Sequence, residues 1–181
     1  MYAYVGVVFG LPSFFTTLSF KIMLIGTYRC AEWPLWSVDV WKSEFITSTY
    51  ETLTVPLLVE MLTGTPYLAF FLRLLGVQVG SRATLLSHDI TEFDMVKIGD
   101  EAVLNMHAAP QTHLFEDRVM KVGRVDVEAN ACCMPYSICL PNSHVGEGAQ
   151  LGSVSLLMKG EAVPANETWE GAPIAPARRS S

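Results

Sequence analysis

One histidine of the sequence lies among charged residues that interrupt a regular pattern. His113 precedes Glu116, Asp117 and Arg118 in the segment QTHLFEDRVMK. An imidazole titrates near neutral pH, so it can accept a proton from an attacking amine or hydroxyl, and a carboxylate on its other ring nitrogen would fix its tautomer. We therefore predict a general base at His113, oriented by Glu116 or Asp117. The alternative is a surface or loop-capping histidine.

Four further polar side chains are candidates for binding a substrate. Asn105 can donate to a substrate carbonyl or stack as a structural amide, and Asp94 can face a cleft or bond the backbone of its own bulge. Arg118 and Lys121 can meet a phosphate group, although charged loop side chains are often only solvated. We predict that Asn105, Asp94, Arg118 and Lys121 bind the substrate.

Composition and motifs exclude several classes of function. The 181 residues carry 12 Lys and Arg against 18 Asp and Glu, and this net charge of −6 argues against nucleic acid as a partner. The spacing of the cysteines matches neither a zinc ribbon nor a zinc finger, and His107 and His113 lie too close to an irregular loop to indicate a ligand set, so we predict no metal. The sequence also lacks the motifs of P-loop nucleotidases, serine hydrolases and zinc proteases.

A six-residue repeat runs through the C-terminal half. Bulky apolar residues occupy every sixth position, and Ala or Ser stands four positions after each of the first five. The bulky set is Val127, Cys133, Cys139, Val145, Leu151 and Leu157, and the small set is Ala131, Ser137, Ser143, Ala149 and Ser155. This pattern suits a coil of triangular cross-section, with one bulky side chain inside each short strand and a small one near each corner.

The repeat extends backward to Val79 with two interruptions. A seven-residue step predicts a one-residue bulge around residues 92–97. A larger break predicts that part of the segment 111–125 leaves the coil as a loop. Because His113 lies in that segment, we predict that the candidate base projects from the coil.

The first 29 residues predict a membrane element. Residues 2–20 carry no charge, and the apolar run continues to residue 28 with only Lys21 inside it, which is long enough to span a bilayer. Lys21 follows the uncharged residues 2–20 and Arg29 follows the whole run, and the positive-inside rule then places the rest of the chain in the cytoplasm. We predict a transmembrane helix over 1–29 and a membrane localisation with the C-terminal domain cytoplasmic. The alternative is an apolar hairpin packed on the protein.

Three more segments follow from these patterns. Residues 30–76 include Trp33, Trp36 and Trp41, and we predict a helical linker whose aromatic side chains lie at the membrane interface or pack in a core. Residues 77–175 are predicted to form the hexapeptide-repeat domain. Residues 176–181 are predicted to form a flexible tail.

Five segments resemble the C-terminal region of the ε-poly-lysine-synthetase family of nonribosomal peptide synthetases. They are PLWSVDVWKSEF (34–45), RLLGVQVG (73–80), DITEFDMVKIGDEAVLN (89–105), QTHLFEDRVMKVGRV (111–125) and SLLMKGE (155–161). More broadly, the chain is similar to hexapeptide acyltransferases, and WEGAP (169–173) resembles the WxGxP stretch that closes many of their coils. The resemblance implies a mainly β fold, a left-handed parallel β-helix of the trimeric, LpxA-like hexapeptide-repeat type, preceded by a transmembrane helix and short amphipathic helices.

The resemblance also implies a function. We expect a membrane-tethered acyl or aminoacyl transferase that forms an amide or an ester from a pantetheine thioester, with a loop histidine as base. The donor would be an acyl-CoA or a phosphopantetheine thioester on a carrier protein, with no tightly bound cofactor. The assembly would be a homotrimer, or a pseudo-trimer with related β-helix domains. The chain would be a fragment, a truncated paralogue or a stand-alone partner of a synthetase.

Two other functions stay open at this point. One is a non-catalytic coil that scaffolds or trimerises a synthetase complex, which would not bind a thioester. The other is a small-molecule O-acetyltransferase, which fits the coil but not the apolar N-terminal run.

Overall fold

Short strands recur along the C-terminal half of the chain in a computed structural model, which describes residues 6–177. All the strands of the coil are two or three residues long because each one ends at a corner of the coil. They are β2 (Gln78–Val79), β3 (Thr84–Leu85), β4 (Val96–Ile98), β5 (Val103–Leu104), β6 (Ala109–Pro110), β9 (Val125–Val127), β10 (Cys132–Cys133), β11 (Ile138–Cys139), β12 (Ser143–Val145), β13 (Gln150–Leu151), β14 (Leu156–Leu157), β15 (Ala162–Val163) and β16 (Thr168–Glu170).

These strands stack into three parallel sheets, which form the faces of the coil. The orders are β15-β12-β9-β4-β2, β16-β13-β10-β5-β3 and β14-β11-β6. Cys133 pairs with Leu104 on one side and with Leu151 on the other, so inward residues stack from one turn of the coil to the next. Each turn therefore adds one strand to each face.

The side chains inside the coil follow the predicted register. Every bulky and every small residue of the two predicted sets is at most 2% exposed. The six-residue register is therefore confirmed, and its physical basis is that bulky side chains fill the interior while Ala or Ser occupies the narrow space at the corners.

The last strand of the described chain runs the other way. β17 (Ala175–Pro176) pairs antiparallel with β16. The predicted tail, 176–181, therefore starts inside a strand. Residues 178–181 of that tail lie outside the described residues.

Helices make up most of the chain before the coil. A π-helical turn (Gly6–Gly10) leads into α1 (Leu11–Leu24), and α2 (Val38–Thr49) leads into a π-helical segment (Tyr50–Val59), α3 (Glu60–Leu62) and α4 (Pro66–Leu75). The Ser37 hydroxyl caps α2 by accepting a hydrogen bond from the Val40 N–H. Pro56 has no N–H to donate within Tyr50–Val59, and Gly76 ends α4 with a φ of 113°.

The helices and the coil share one hydrophobic core. Phe14 of α1, Tyr50 and Leu72 of α4 belong to the same buried cluster as Leu104 of the coil. Tyr50 packs edge to face on Phe93 with ring centroids 5.1 Å apart. The helices therefore cover the early turns of the coil and can supply side chains to a site on its flank.

A three-stranded antiparallel sheet projects from the coil where the larger break was predicted. β7 (His113–Glu116) and β8 (Val119–Val122) form a hairpin, and β1 (Ala31–Pro34) pairs with β8. A short 3-10 turn (Phe93–Met95) lies at the predicted bulge. His113 pairs with Val122 in the hairpin register. The bulge in the repeat is thus a 3-10 turn, and the larger break is a β-hairpin.

The predicted fold class needs correction. Within residues 6–177, no helix is both long and apolar enough to cross a bilayer, which overturns the predicted transmembrane helix and the membrane localisation with a cytoplasmic C-terminal domain. Residues 1–5 of the predicted span 1–29 lie outside the described residues. The helical N-terminal part and the antiparallel sheet also make the architecture a mixture of helices and sheets, and not a mainly β chain built as a pure left-handed parallel β-helix.

The inner face of α1 gives the physical reason for the failed prediction. Ser13, Thr17 and Lys21 are spaced four residues apart and all three are buried. The Thr17 Oγ1 atom lies 2.8 Å from Thr54 Oγ1, and Lys21 Nζ lies 2.8 Å from Asp94 Oδ2. A total hydropathy over residues 2–20 misses this stripe, whose spacing indicates a helix face packed on protein.

Candidate active site

A buried carboxylate holds the candidate base. Glu92 Oε2 lies 2.9 Å from Nδ1 of His113, and the side chains of the two residues are 1% and 14% exposed. Glu92 directly precedes the 3-10 turn at the bulge, and His113 is the first residue of β7, where the chain leaves the coil. The two interruptions of the repeat therefore meet at this pair.

Three hydroxyl groups donate hydrogen bonds to the Glu92 carboxylate. Thr91 and Thr112 donate to Oε2 at 2.8 Å and 2.6 Å, and Ser43 of α2 donates to Oε1 at 3.1 Å. Because an ionised carboxylate only accepts, Nδ1 of His113 must carry the proton of that contact. Nε2 of the neutral ring is then left with its lone pair, as a base requires.

The electrostatics of the pair favour the charged forms of both groups. Burial is the largest influence on Glu92 and raises its pKa, but the hydrogen bond and charge of His113 and the bonds from Thr112 and Thr91 together hold the pKa below its ordinary value. Burial is also the largest influence on His113, whose pKa it lowers. The hydrogen bond and charge of Glu92, with the charges of Glu44 and Glu51, raise that pKa by more, so the net shift is upward. His113 is therefore a stronger base than a free imidazole.

An acidic cleft of about 350 Å³ opens beside His113. Its wall includes Glu44 and Glu51 from the helical segment and Asp89 from the coil. The other lining residues are Thr47, Thr91, Ala109, Gln111, His113 and Phe115. None of these described lining residues is Lys or Arg, so the cleft has a negative potential that attracts a cationic group.

The hairpin pleat separates His113 from several predicted partners. Alternate side chains of a strand point to opposite faces, so Glu116 and Lys121 lie on the other face from His113. Glu116 instead accepts hydrogen bonds from Lys121 at 3.1 Å and from Lys159 at 2.7 Å. Asp117 is at the hairpin tip with its side chain 91% exposed. Glu92 thus occupies the position next to the imidazole that the sequence led us to expect for Glu116 or Asp117.

Lys121 borders a second cleft of about 380 Å³ on that other face. Lys159, Cys30 and Asn142 also line it. Arg118 is exposed at the hairpin tip, where its carbonyl accepts a hydrogen bond from the Leu35 N–H. Lys121, one of the two predicted phosphate contacts, therefore lies on the far face of the hairpin from the Glu92–His113 pair.

The side chains of Asn105 and Asp94 bond to other residues of the protein. The Asn105 amide donates to the Cys133 carbonyl at 3.1 Å. Asp94 forms an ion pair with Lys21 and accepts a hydrogen bond from the Tyr28 N–H at 2.9 Å. Gly76 lies against the same carboxylate, where an added Cβ would stand 2.3 Å from Asp94 Oδ1. Asp94 therefore joins α1, Tyr28 and the end of α4 at one point.

We expect Asp94→Asn to lower the free energy of unfolding by about 3–5 kcal/mol, because Lys21 would be left buried without its counter-charge. Urea unfolding followed by circular dichroism measures this loss. Glu128→Gln is the matched control, since it breaks a half-exposed pair with Lys97 and should cost at most about 1 kcal/mol. An Asp94→Asn protein that is as stable as the control would contradict the structural role.

The residues that sequence reasoning missed come from distant parts of the chain. Glu92 lies at the start of the bulge with Thr91 directly before it, Thr112 lies beside His113, and Ser43 lies on α2. The signal that could have found Glu92 is that the bulge and the excursion are about one turn of the coil apart, so they stack. No sequence spacing links Ser43 to either. Within residues 6–177, no group of three or more His, Cys, Asp or Glu side chains could hold a metal ion.

Comparison with known proteins gives one strong sequence relative. No protein-family model matches the chain. A δ-poly-L-ornithine synthetase of Acinetobacter baumannii is 46% identical over 171 residues, which is 94% of this chain and 13% of the synthetase. The chain therefore spans only about one eighth of that relative.

Two solved structures are similar to parts of this chain at low sequence identity. A hexapeptide-repeat-containing acetyltransferase of Vibrio cholerae is 12% identical and matches 66% of this chain and 85% of its own, with a TM-score of 0.51. An N-acyltransferase of Bacillus cereus, solved with dTDP-4-amino-4,6-dideoxyglucose and coenzyme A, is 18% identical over 46% of this chain and 51% of its own, with a TM-score of 0.42. The similarity to the Vibrio cholerae acetyltransferase is a similarity of fold.

Proposed function

The chain belongs with the hexapeptide-repeat region of the ε-poly-lysine-synthetase-like nonribosomal peptide synthetases, and on that premise we propose that it transfers an acyl or aminoacyl group from a pantetheine thioester to an amine. The observation that carries the proposal is the Glu92–His113 pair at the edge of an acidic cleft. His113 is the proposed base and Glu92 orients it. Acyl transfer needs a proton acceptor of this kind beside the attacking nitrogen.

The proposed step balances without another reactant. His113 Nε2 takes a proton from the acceptor amine as the amine nitrogen attacks the thioester carbonyl carbon. The C–S bond of the resulting tetrahedral intermediate then breaks. The departing thiolate recovers the proton from Nε2, so the products are an amide and a free thiol.

The cleft supports a cationic amine as the acceptor. Glu44, Glu51 and Asp89 can hold one ammonium group while a second amine of the same molecule loses its proton to His113. Ornithine, named in the product of the related synthetase, has two such amines. An ester-forming transfer to a hydroxyl would gain less from this charge.

The donor is proposed to be an acyl-CoA or a carrier-bound phosphopantetheine thioester. Arg118 and Lys121 remain the proposed contacts for its phosphate, and Lys159 adds a second cation beside Lys121. Association of three copies, or of this coil with related coils, also remains a proposal. A scaffold without chemistry would bind neither donor nor acceptor.

A direct assay tests the proposed transfer. The protein is incubated with acetyl-CoA or with alanyl-pantetheine thioester as donor and L-ornithine as acceptor. Released thiol and amide product are measured by thiol titration and mass spectrometry. Amide formation above the rate of the uncatalysed mixture supports the proposal. Thioester hydrolysis alone, or transfer only to hydroxyl acceptors, would contradict amide synthesis.

We expect the double variant Glu44→Gln, Glu51→Gln to raise KM for L-ornithine by about 10-fold, because two carboxylates that attract the ammonium group are lost. KM for the thioester should not change. Butylamine, which has a single amine, is the comparison acceptor, and its KM should rise much less. An equal rise for both amines would show that the carboxylates do not select a second cationic group.

A further inference from the structure

The two oxygens of the Glu92 carboxylate are held by different parts of the molecule. Oε2 accepts from Thr91, Thr112 and His113, which all belong to the coil and its hairpin. Oε1 accepts from Ser43 of α2 at 3.1 Å, and Ser43 is the only donor to this oxygen among residues 6–177. A carboxylate plane is soft to rotation, so a donor on the second oxygen is what fixes it.

We propose that Ser43 is a positioning residue, whose hydroxyl fixes the plane of the Glu92 carboxylate so that Oε2 stays aimed at Nδ1 of His113. Its consequence for turnover depends on the acyl transfer proposed above. Ser43 is fully buried, so water does not replace its hydroxyl. The base is therefore held in place by a helix that lies outside the coil.

The direction of hydrogen bonding in this network is determined by its two ends. Glu92 can only accept, so the Ser43 hydroxyl donates to it and is left with lone pairs. The Tyr28 hydroxyl, 3.3 Å from Ser43 Oγ, then donates to Ser43. Burial is the main reason why the pKa of Tyr28 is raised, so its hydroxyl keeps the proton that it donates. Tyr28 thus donates to Ser43 and Ser43 donates to Glu92, so this chain and the Nδ1–H of His113 meet at the Glu92 carboxylate.

The helix that carries Ser43, α2, also forms part of the wall of the acidic cleft. Val40 and Ile46 flank Ser43 on the buried face of the helix, while Glu44 and Thr47 line the cleft. One helix therefore supplies both a wall for the proposed acceptor and the anchor of the Glu92 carboxylate. The coil and hairpin alone hold only one of the two oxygens.

The test compares Ser43→Ala with Ser137→Ala. Both serines are almost fully buried, but Ser137 donates to the Met134 carbonyl within the coil and has no contact with Glu92. Ser43→Ala should lower kcat about 10-fold, the value of one hydrogen bond to a charged group, with KM for L-ornithine unchanged. Ser137→Ala should change neither constant. Ser43→Cys keeps the shape of the side chain with a slightly larger atom that is a weaker donor, and its kcat should lie between wild type and Ser43→Ala.

Nitrogen NMR of the His113 ring gives a readout that does not need turnover. In the wild-type protein the neutral ring should be protonated at Nδ1, and in Ser43→Ala the signals should show a mixture of both tautomers. If Ser43→Ala has the same tautomer populations and the same kcat as the wild-type protein, the proposal is overturned. If the tautomer changes in Ser43→Ala but neither the wild-type protein nor any variant transfers the acyl group, Ser43 keeps its positioning role and the proposed function is refuted. If Ser43→Ala does not fold, Ser43→Cys and Tyr28→Phe give the same ring measurement.

Discussion

His113→Ala is expected to lower kcat for amide formation by about 10²–10⁴-fold, the usual contribution of a positioned general base. Among the described residues that line the cleft, the substitution removes the only group that combines a free ring nitrogen with a charged partner on the other nitrogen. KM for the thioester should change little, because the imidazole acts on the acceptor's proton. Initial rates at saturating donor and acceptor measure the loss.

The matched control is His144→Ala. His144 lies in β12 on another part of the coil, and it does not line the cleft beside His113. Its loss should leave the rate unchanged. Full turnover of His113→Ala, with both variants folded, would remove His113 from the mechanism and with it the proposed role of Glu92.

Glu92→Gln is expected to produce the second large loss, about 10²-fold in kcat. The amide keeps the shape of the side chain but removes the negative charge that holds the Nδ1 proton and raises the pKa of His113. A glutamine can also rotate and offer its NH₂ group to the ring, which would favour the wrong tautomer. Glu128→Gln, at a carboxylate paired with Lys97 on the coil, is the control.

The pH profile separates the charge of Glu92 from its shape. A base acts in its neutral form, so the rate rises as the pH passes above the pKa of His113. In the wild-type protein this rise should occur at a higher pH than for an ordinary histidine, because Glu92 raises the pKa. In Glu92→Gln it should move to a lower pH, since burial remains and the carboxylate charge is gone.

Two outcomes would contradict this assignment. An unchanged position of the rise in Glu92→Gln would mean that Glu92 does not act on the base. A larger loss in Glu116→Gln than in Glu92→Gln would favour the carboxylate expected from the sequence, even though Glu116 is bound to Lys121 and Lys159.

The coil was predictable because its signal is periodic and local. Inward residues such as Cys133 and Leu157 are fixed by spacing alone, since each turn repeats the same steric demand. The projection of His113 also followed from a count of residues between repeats. The partner of His113 could not be predicted in the same way, because Glu92 is near it only through the stacking of two irregular turns.

The helical part resisted prediction for a different reason. An apolar run has the same composition whether it lies in lipid or packs on protein, and only the arrangement of its few polar residues separates the two. Lys21 looked like the end of a span, whereas it is the buried partner of Asp94. The contact between Ser43 and Glu92 joins residues of two elements that have no common repeat, so it depends on tertiary packing.

The position of strand β1 limits where this chain can be cut and joined to another protein. The strand precedes the coil in the chain, yet it completes the sheet that carries His113 by pairing with β8. A cut at residue 77 would leave β8 with a bare edge, prone to pairing with other chains, and would separate Ser43 from Glu92. The helices and the coil should therefore be kept together, and the similarity to the ornithine synthetase extends across both, over 171 residues. Chimaeras should therefore be joined ahead of the first helix.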